Sequence, residues 1–94
     1  MIDEVDTIYK YSLSIISVQM VAMHPKAEIL WVAVQRGTPC IWVRTPKDSP
    51  VKSENRIIYT IGTGHPMTDK VGKYIGSYTS HGEQLVWHVF EEKR

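Results

Sequence analysis

Apolar residues along this chain come in short runs, β-branched or aromatic, each bounded by turn residues. That pattern predicts strands. TIYKYSL at 7–13 alternates: Tyr9, Tyr11 and Leu13 point one way, Lys10 and Ser12 the other. SVQMVAM at 17–23 is the second run, closed by His24-Pro25, and EILWVAVQ at 28–35 the third. Arg36-Gly37 predicts a short hairpin turn, with the glycine supplying positive φ. PCIWVRT at 39–45 is the fourth run. Pro39 cannot donate to a ladder, so it belongs at that strand's start or at an edge. RIIYTI at 56–61, KYIGSYT at 73–79 and QLVWHVFE at 84–91 complete the set, the last entered through His81-Gly82. MTDKVGKY at 67–74 has room for one helical turn, capped by Thr68 and kept short by Gly72. The expected fold is all-β: a small antiparallel sandwich or barrel of about seven short strands.

Two runs are apolar on both faces. In the third, Ile29, Trp31 and Ala33 oppose Leu30, Val32 and Val34; in the seventh, Leu85, Trp87 and Val89 oppose Val86, His88 and Phe90. A sheet with one wet face alternates apolar and polar. A chain of 94 residues forms one domain, 1–94, and has too few elements to cover every second face. Leu30, Trp31, Val32, Val86 and Phe90 are therefore expected at a subunit interface of a homo-oligomer, a dimer or tetramer. The segment PKDSPVKSEN at 46–55 reads as an exposed loop and a tolerated insertion point.

Charge narrows the partners. Eleven Lys and Arg balance ten Asp and Glu, for a net +1, and no basic stripe is visible. Polymeric nucleic acid is not expected to bind. ILWVAV at 29–34 is too short to span a membrane, and the acidic start MIDEVD lacks the layout of a signal peptide. One cysteine permits no internal disulfide, which fits a cytoplasmic location.

Chemistry is sparse. The four histidines have no metal-binding spacing, and a lone Cys40 supports no thiolate zinc site, so no metal is expected. Cys40 reads as an inert core thiol, and His88 as a satisfied, partly buried imidazole. His65 to Thr68 resembles half of the paired His-x-Thr signature of two-histidine phosphoesterases. The spacing is wrong and no second copy exists, so that reading is rejected. No catalytic residues, no enzymatic activity and no cofactor are expected.

The stretch TIGTGHPM at 60–67 differs in kind. Gly62 and Gly64 let the backbone turn and expose N–H groups. With the hydroxyls of Thr60, Thr63 and Thr68, and with His65, it could cradle a small oxyanion. Arg56 and Lys73 are close in sequence, and Trp42 and Tyr74 are candidate stacking platforms for a base. Plain turn chemistry is the commoner use of such glycines.

Several segments resemble a family of short, mostly uncharacterised proteins encoded by phages and prophages: IYKYSL, AEILWVAVQRGTPCIWV, IIYTIGTGHPM and YIGSYTSHGEQLVWHVFE. The family pattern includes Pro-Cys-x-Trp, Gly-Thr-Gly-His-Pro and Val-Trp-His-Val-Phe-Glu, and it covers nearly the whole chain outside 46–55. Lys26 departs from it, standing where the pattern has glycine before Ala27. The resemblance implies phage origin and a host bacterial cytoplasm. Size, the missing catalytic set and the 60–67 loop then point to a non-enzymatic sponge. Its ligand is expected to be a small phosphate-bearing nucleotide, such as the cyclic dinucleotides that signal host anti-phage defence. The alternative is an oligomeric module that blocks a host or phage protein through its apolar strand faces.

Overall fold

The structure, a computed structural model, describes residues 5–47 and 51–94. It contains seven strands: β1 (Asp6–Ser12), β2 (Val18–Met23), β3 (Glu28–Gln35), β4 (Thr38–Pro46), β5 (Glu54–Gly62), β6 (Val71–Ser80) and β7 (Leu85–Glu92). They form two antiparallel sheets, ordered β1-β4-β3 and β2-β5-β7-β6. Each strand falls on an apolar run of the sequence. Of the 46–55 segment, Pro46 belongs to β4, Glu54 and Asn55 belong to β5, and residues 48–50 lie outside the described residues.

Arg36 and Gly37 both take positive φ, 52° and 78°, and Gln35 pairs with Thr38 across them. Two positive φ values make a type I′ turn, whose twist matches the flanking strands. Pro39 enters β4 next to its start, as its missing N–H requires.

The core lies between the sheets. Ile29 and Val32 of β3 and Ile41 and Val43 of β4 meet Met23 of β2, Ile58 of β5, Tyr78 of β6 and Val89 of β7. β3 and β6 close one side of the sandwich, near enough that a Cβ on Gly76 would stand 2.8 Å from Val32 Cγ1. β1 and β2 form the opposite, open side.

Two expectations are corrected. The faces of β3 do not follow plain alternation, because the register shifts between Ile29, opposite Val43, and Trp31, opposite Trp42. Leu30 is the extra residue of a bulge. Ile29 and Val32 thus share the core face, each 2% exposed, and Val32 is a core residue, not an interface one. Leu30 and Trp31 remain outside, 43% and 57% exposed.

Likewise, 67–74 forms no helical turn. The Thr68 Oγ1 accepts from the Lys70 N–H at 3.3 Å, its carbonyl accepts from the Val71 N–H at 3.4 Å, and the chain enters β6 at once. Gly72 serves packing instead. A Cβ there would sit 2.9 Å from the Glu91 carbonyl oxygen and the Lys93 nitrogen, both rigid backbone of the neighbouring strand's end. Gly72→Ala is expected to destabilise the fold by about 1–3 kcal/mol in urea titration, the usual range for forced overpacking. A loss below about 0.5 kcal/mol, the size of an ordinary surface change, would mean β6 and β7 separate freely here.

Candidate functional site

β5 and β6 both flank β7 and run antiparallel to it, so they are parallel to each other. The 63–70 segment must cross the sheet to join them. It crosses the outer face: Pro66 and Thr68 line a hollow together with Tyr59 and Ile61, which point away from the core. This cover leaves Tyr59 only 8% exposed. Burial raises the Tyr59 hydroxyl pKa, and the Glu92 and Asp69 carboxylates raise it further.

The crossover begins as a tight turn. The His65 N–H donates to the Gly62 carbonyl at 3.0 Å, and Gly64 takes φ +87°. Positive φ at the third residue alone is the type II arrangement, which glycine fits without strain. The Thr63 N–H is also engaged, donating to the Val86 carbonyl at 3.2 Å. Two of the loop amides expected to hold an anion are therefore spent on backbone carbonyls. Thr63 Oγ1 lies 2.8 Å from His88 Nε2, so His88 is the partnered imidazole its sequence context predicted.

Two adjoining hollows open where β2 begins beside this turn. One, of about 210 Å³, is lined by Ser17, Val18, Tyr59, Thr60, Ile61, His65, Pro66 and Thr68. The other, of about 190 Å³, is lined by Ile15, Ile16, Ser17, Thr60, His65 and Trp87. Thr60 joins them. It is 4% exposed, and its Oγ1 has no hydrogen-bond partner among the described residues. An unsatisfied buried hydroxyl is costly and rare. Thr45 and Tyr78 also bury unpartnered hydroxyls, but neither lines these hollows.

Of the sequence-derived site residues, the fold therefore gathers Thr60, His65 and Thr68. Gly62 and Thr63 lie beside them, lining a third hollow of about 280 Å³ with His65 and Trp87. Gly64 forms the turn itself.

The rest are elsewhere. Arg56 is four residues back from Thr60 along β5, about 13 Å away at strand spacing. It is buried at 5% exposure, ion-paired through Nε to Glu91, and bonded through Nη1 to the Ala27 carbonyl at 2.9 Å. It is a structural cation and is not free to meet a phosphate. Lys73 is exposed on β6, and Tyr74 packs its ring 5.2 Å from Phe90 on the outer face. Trp42 belongs to the other sheet, its ring 5.0 Å from Trp31. Val86 is exposed and Phe90 half-buried on the outer side of β7.

Ser17, Val18, Tyr59, Ile61, Trp87 and the Ile15-Ile16 pair were missed as lining residues. The adjacent isoleucines between serines are the one signal the sequence offers for this wall. Cys40 is buried, with Sγ 3.4 Å from the Thr38 carbonyl oxygen. Among the described residues no group of three or more His, Cys, Asp or Glu side chains is placed to hold a metal ion. Among them, too, no helix is long and apolar enough to cross a membrane.

No curated protein and no solved structure matches the chain. A family model described as "Domain of unknown function (DUF7352)" matches residues 5–94. With nearly its whole length inside that match, the chain belongs to the DUF7352 family.

Proposed function

We propose that this protein is a non-enzymatic binder of a small nucleotide, whose base enters the hollows around Thr60. The observation that carries the reading is the buried, unpartnered Thr60 hydroxyl, on the residue that lines both hollows with His65, beside Tyr59 in one and Trp87 in the other. An apolar wall with a few convergent polar groups is the common make-up of a ligand site. Each hollow is smaller than a drug-sized pocket, which suits one ring system. Among the described residues no Lys, Arg, Asp or Glu lines either of them. A phosphate buried there would lack a counter-charge, so the ring enters and the phosphates stay in solvent. Thr63 and His88 form a hydroxyl–imidazole contact, yet among the described residues no carboxylate pairs with His88 to complete a catalytic relay. The resemblance to phage and prophage proteins supplies a setting for such a binder: sequestering a cyclic dinucleotide alarm signal in the host cytoplasm.

Thr60→Val tests this directly, since it removes the hydroxyl and keeps the shape. Nuclear magnetic resonance titration with the four nucleosides and a cyclic dinucleotide is expected to shift Ser17, Thr60, Ile61 and His65. The variant is expected to bind about fivefold more weakly, the value of one neutral hydrogen bond. Without ligand it is expected to be more stable than the natural chain by about 1 kcal/mol, because an orphaned hydroxyl is gone. Silence across the panel, or equal binding by the variant, ends this reading.

A second reading is favoured by a separate observation. Trp31 is 57% exposed on the outer face of the three-stranded sheet, packed on Trp42. Exposed Trp is the residue type that most often anchors a protein partner. Capture of a host or phage protein that is lost in Trp31→Ala would support it.

A further inference from the structure

The two sheets have four edge strands: β1 and β3 in one, β2 and β6 in the other. A free edge is a template for pairing, and folded proteins blunt it with charge, proline, a bulge or cover. β3 and β6 lie against each other. β3 also carries the Leu30 bulge, and β6 two register shifts. β1 carries Asp6 and Lys10. β2 has no such device. Its sequence, Val18-Gln19-Met20-Val21-Ala22-Met23, holds no charge, proline or glycine, its register with β5 is unbroken, and among the described residues no strand but β5 lies along it.

The register fixes which backbone groups are free. The Thr60 N–H donates to the Ser17 carbonyl at 3.0 Å, one step before Val18 meets Tyr59. Antiparallel ladders alternate, so Ser17, Gln19, Val21 and Met23 turn their polar backbone toward β5. Val18, Met20 and Ala22 turn theirs to the open edge. The same three place their side chains on the outer face, where Val18 is 50% and Met20 68% exposed.

We propose that β2 pairs antiparallel with β2 of a second copy of this chain, about a twofold axis at Met20. That register sets Met20 opposite Met20 of the other copy, and Val18 opposite Ala22. Each of the three pairs exchanges two N–H···O=C bonds, joining the two four-stranded sheets into one sheet of eight. The occupant is a second copy because the strand is self-complementary under a twofold. On the outer face apolar side chains meet apolar ones, on the other face Gln19 comes opposite Val21 of the other copy, and no like charges are brought together along the strand. Main-chain hydrogen bonds supply the affinity in such strand addition. This interface differs from the strand faces expected at the sequence level, and it does not rest on the nucleotide reading.

Sedimentation equilibrium without nucleotide tests it. The natural chain is expected at twice the chain mass. Met20→Lys puts a charge on the edge, and Met20→Pro deletes an N–H that the β2–β5 ladder does not use. Both are expected at the single-chain mass with unchanged circular dichroism. Met20→Cys is expected to cross-link on mild oxidation, because directly opposed Cα atoms lie about 5.5 Å apart, inside the disulfide range. The buried Cys40 leaves the natural chain as the uncross-linked control. A monomer at about 100 µM, a weak limit for any specific dimer, overturns the proposal. So does a dimer that survives Met20→Lys, or a Met20→Cys dimer that does not cross-link.

Discussion

Replacing Glu91 with alanine is expected to cost the fold about 3–5 kcal/mol, the penalty for stranding one partner of a buried ion pair. Arg56 and Glu91 are 5% and 6% exposed. Arg56 also holds the Ala27 carbonyl, so the pair ties β5 and β7 to the turn before β3. Remove the carboxylate and a guanidinium remains in the interior without its counter-ion. A chain of this size has only about 5–14 kcal/mol of stability in all. The variant is expected to melt more than about 12 °C lower, at roughly 4–8 °C per kcal/mol. Removing both charges, as in Arg56→Met with Glu91→Leu, is expected to recover most of the loss, because apolar replacements of a buried pair are often neutral or better. Urea unfolding of the two variants measures both effects. A loss under about 1 kcal/mol in the alanine variant, the level of an exposed ion pair, would place the pair in solvent.

That pair also marks where local reading stops. Seven strands were legible because each apolar run is bounded by turn residues, and Arg36-Gly37 named its own turn type. Strand pairing is not written in any one run. Arg56 looks like a free cation near a glycine-rich loop until β7 brings Glu91 beside it, 35 residues later. Gly72 reads locally as a helix stopper, because nothing near it in sequence reveals the backbone at the end of β7 pressed against it.

The candidate site was legible in the same partial way. TIGTGHPM did announce a turn, and His65 and Thr60 do meet at a hollow. Two of its amides are taken up locally, His65 on the Gly62 carbonyl and Thr63 on the Val86 carbonyl, which no single run reveals. The ring-lined wall comes from four separate segments. The registers of β2 and β7 on β5, with the path of the 63–70 crossover, set Ile15 and Trp87 around one hollow and Tyr59 at the adjoining one. A near-zero net charge, by contrast, is readable from composition, and among the described residues no Lys, Arg, Asp or Glu lines either hollow.

Val32→Asp is expected to be as damaging as loss of the ion pair, at about 3–5 kcal/mol, while Trp31→Asp costs less than about 1 kcal/mol. The contrast isolates the bulge. Plain alternation from Ile29 assigns Trp31 to the core face and Val32 to the outer one. One extra residue at Leu30 exchanges those assignments for the rest of the strand, because a single-residue slip moves every later side chain to the other face. Val32 then packs against Gly76, where β3 closes on β6, and an aspartate there has neither water nor partner. Trp31 keeps its ring on Trp42 in solvent, and replacing it loses one exposed aromatic contact. Paired urea titrations of the two variants read the phase of the strand. A stable Val32→Asp beside an unfolded Trp31→Asp would mean that β3 runs unbroken, with Val32 on the surface.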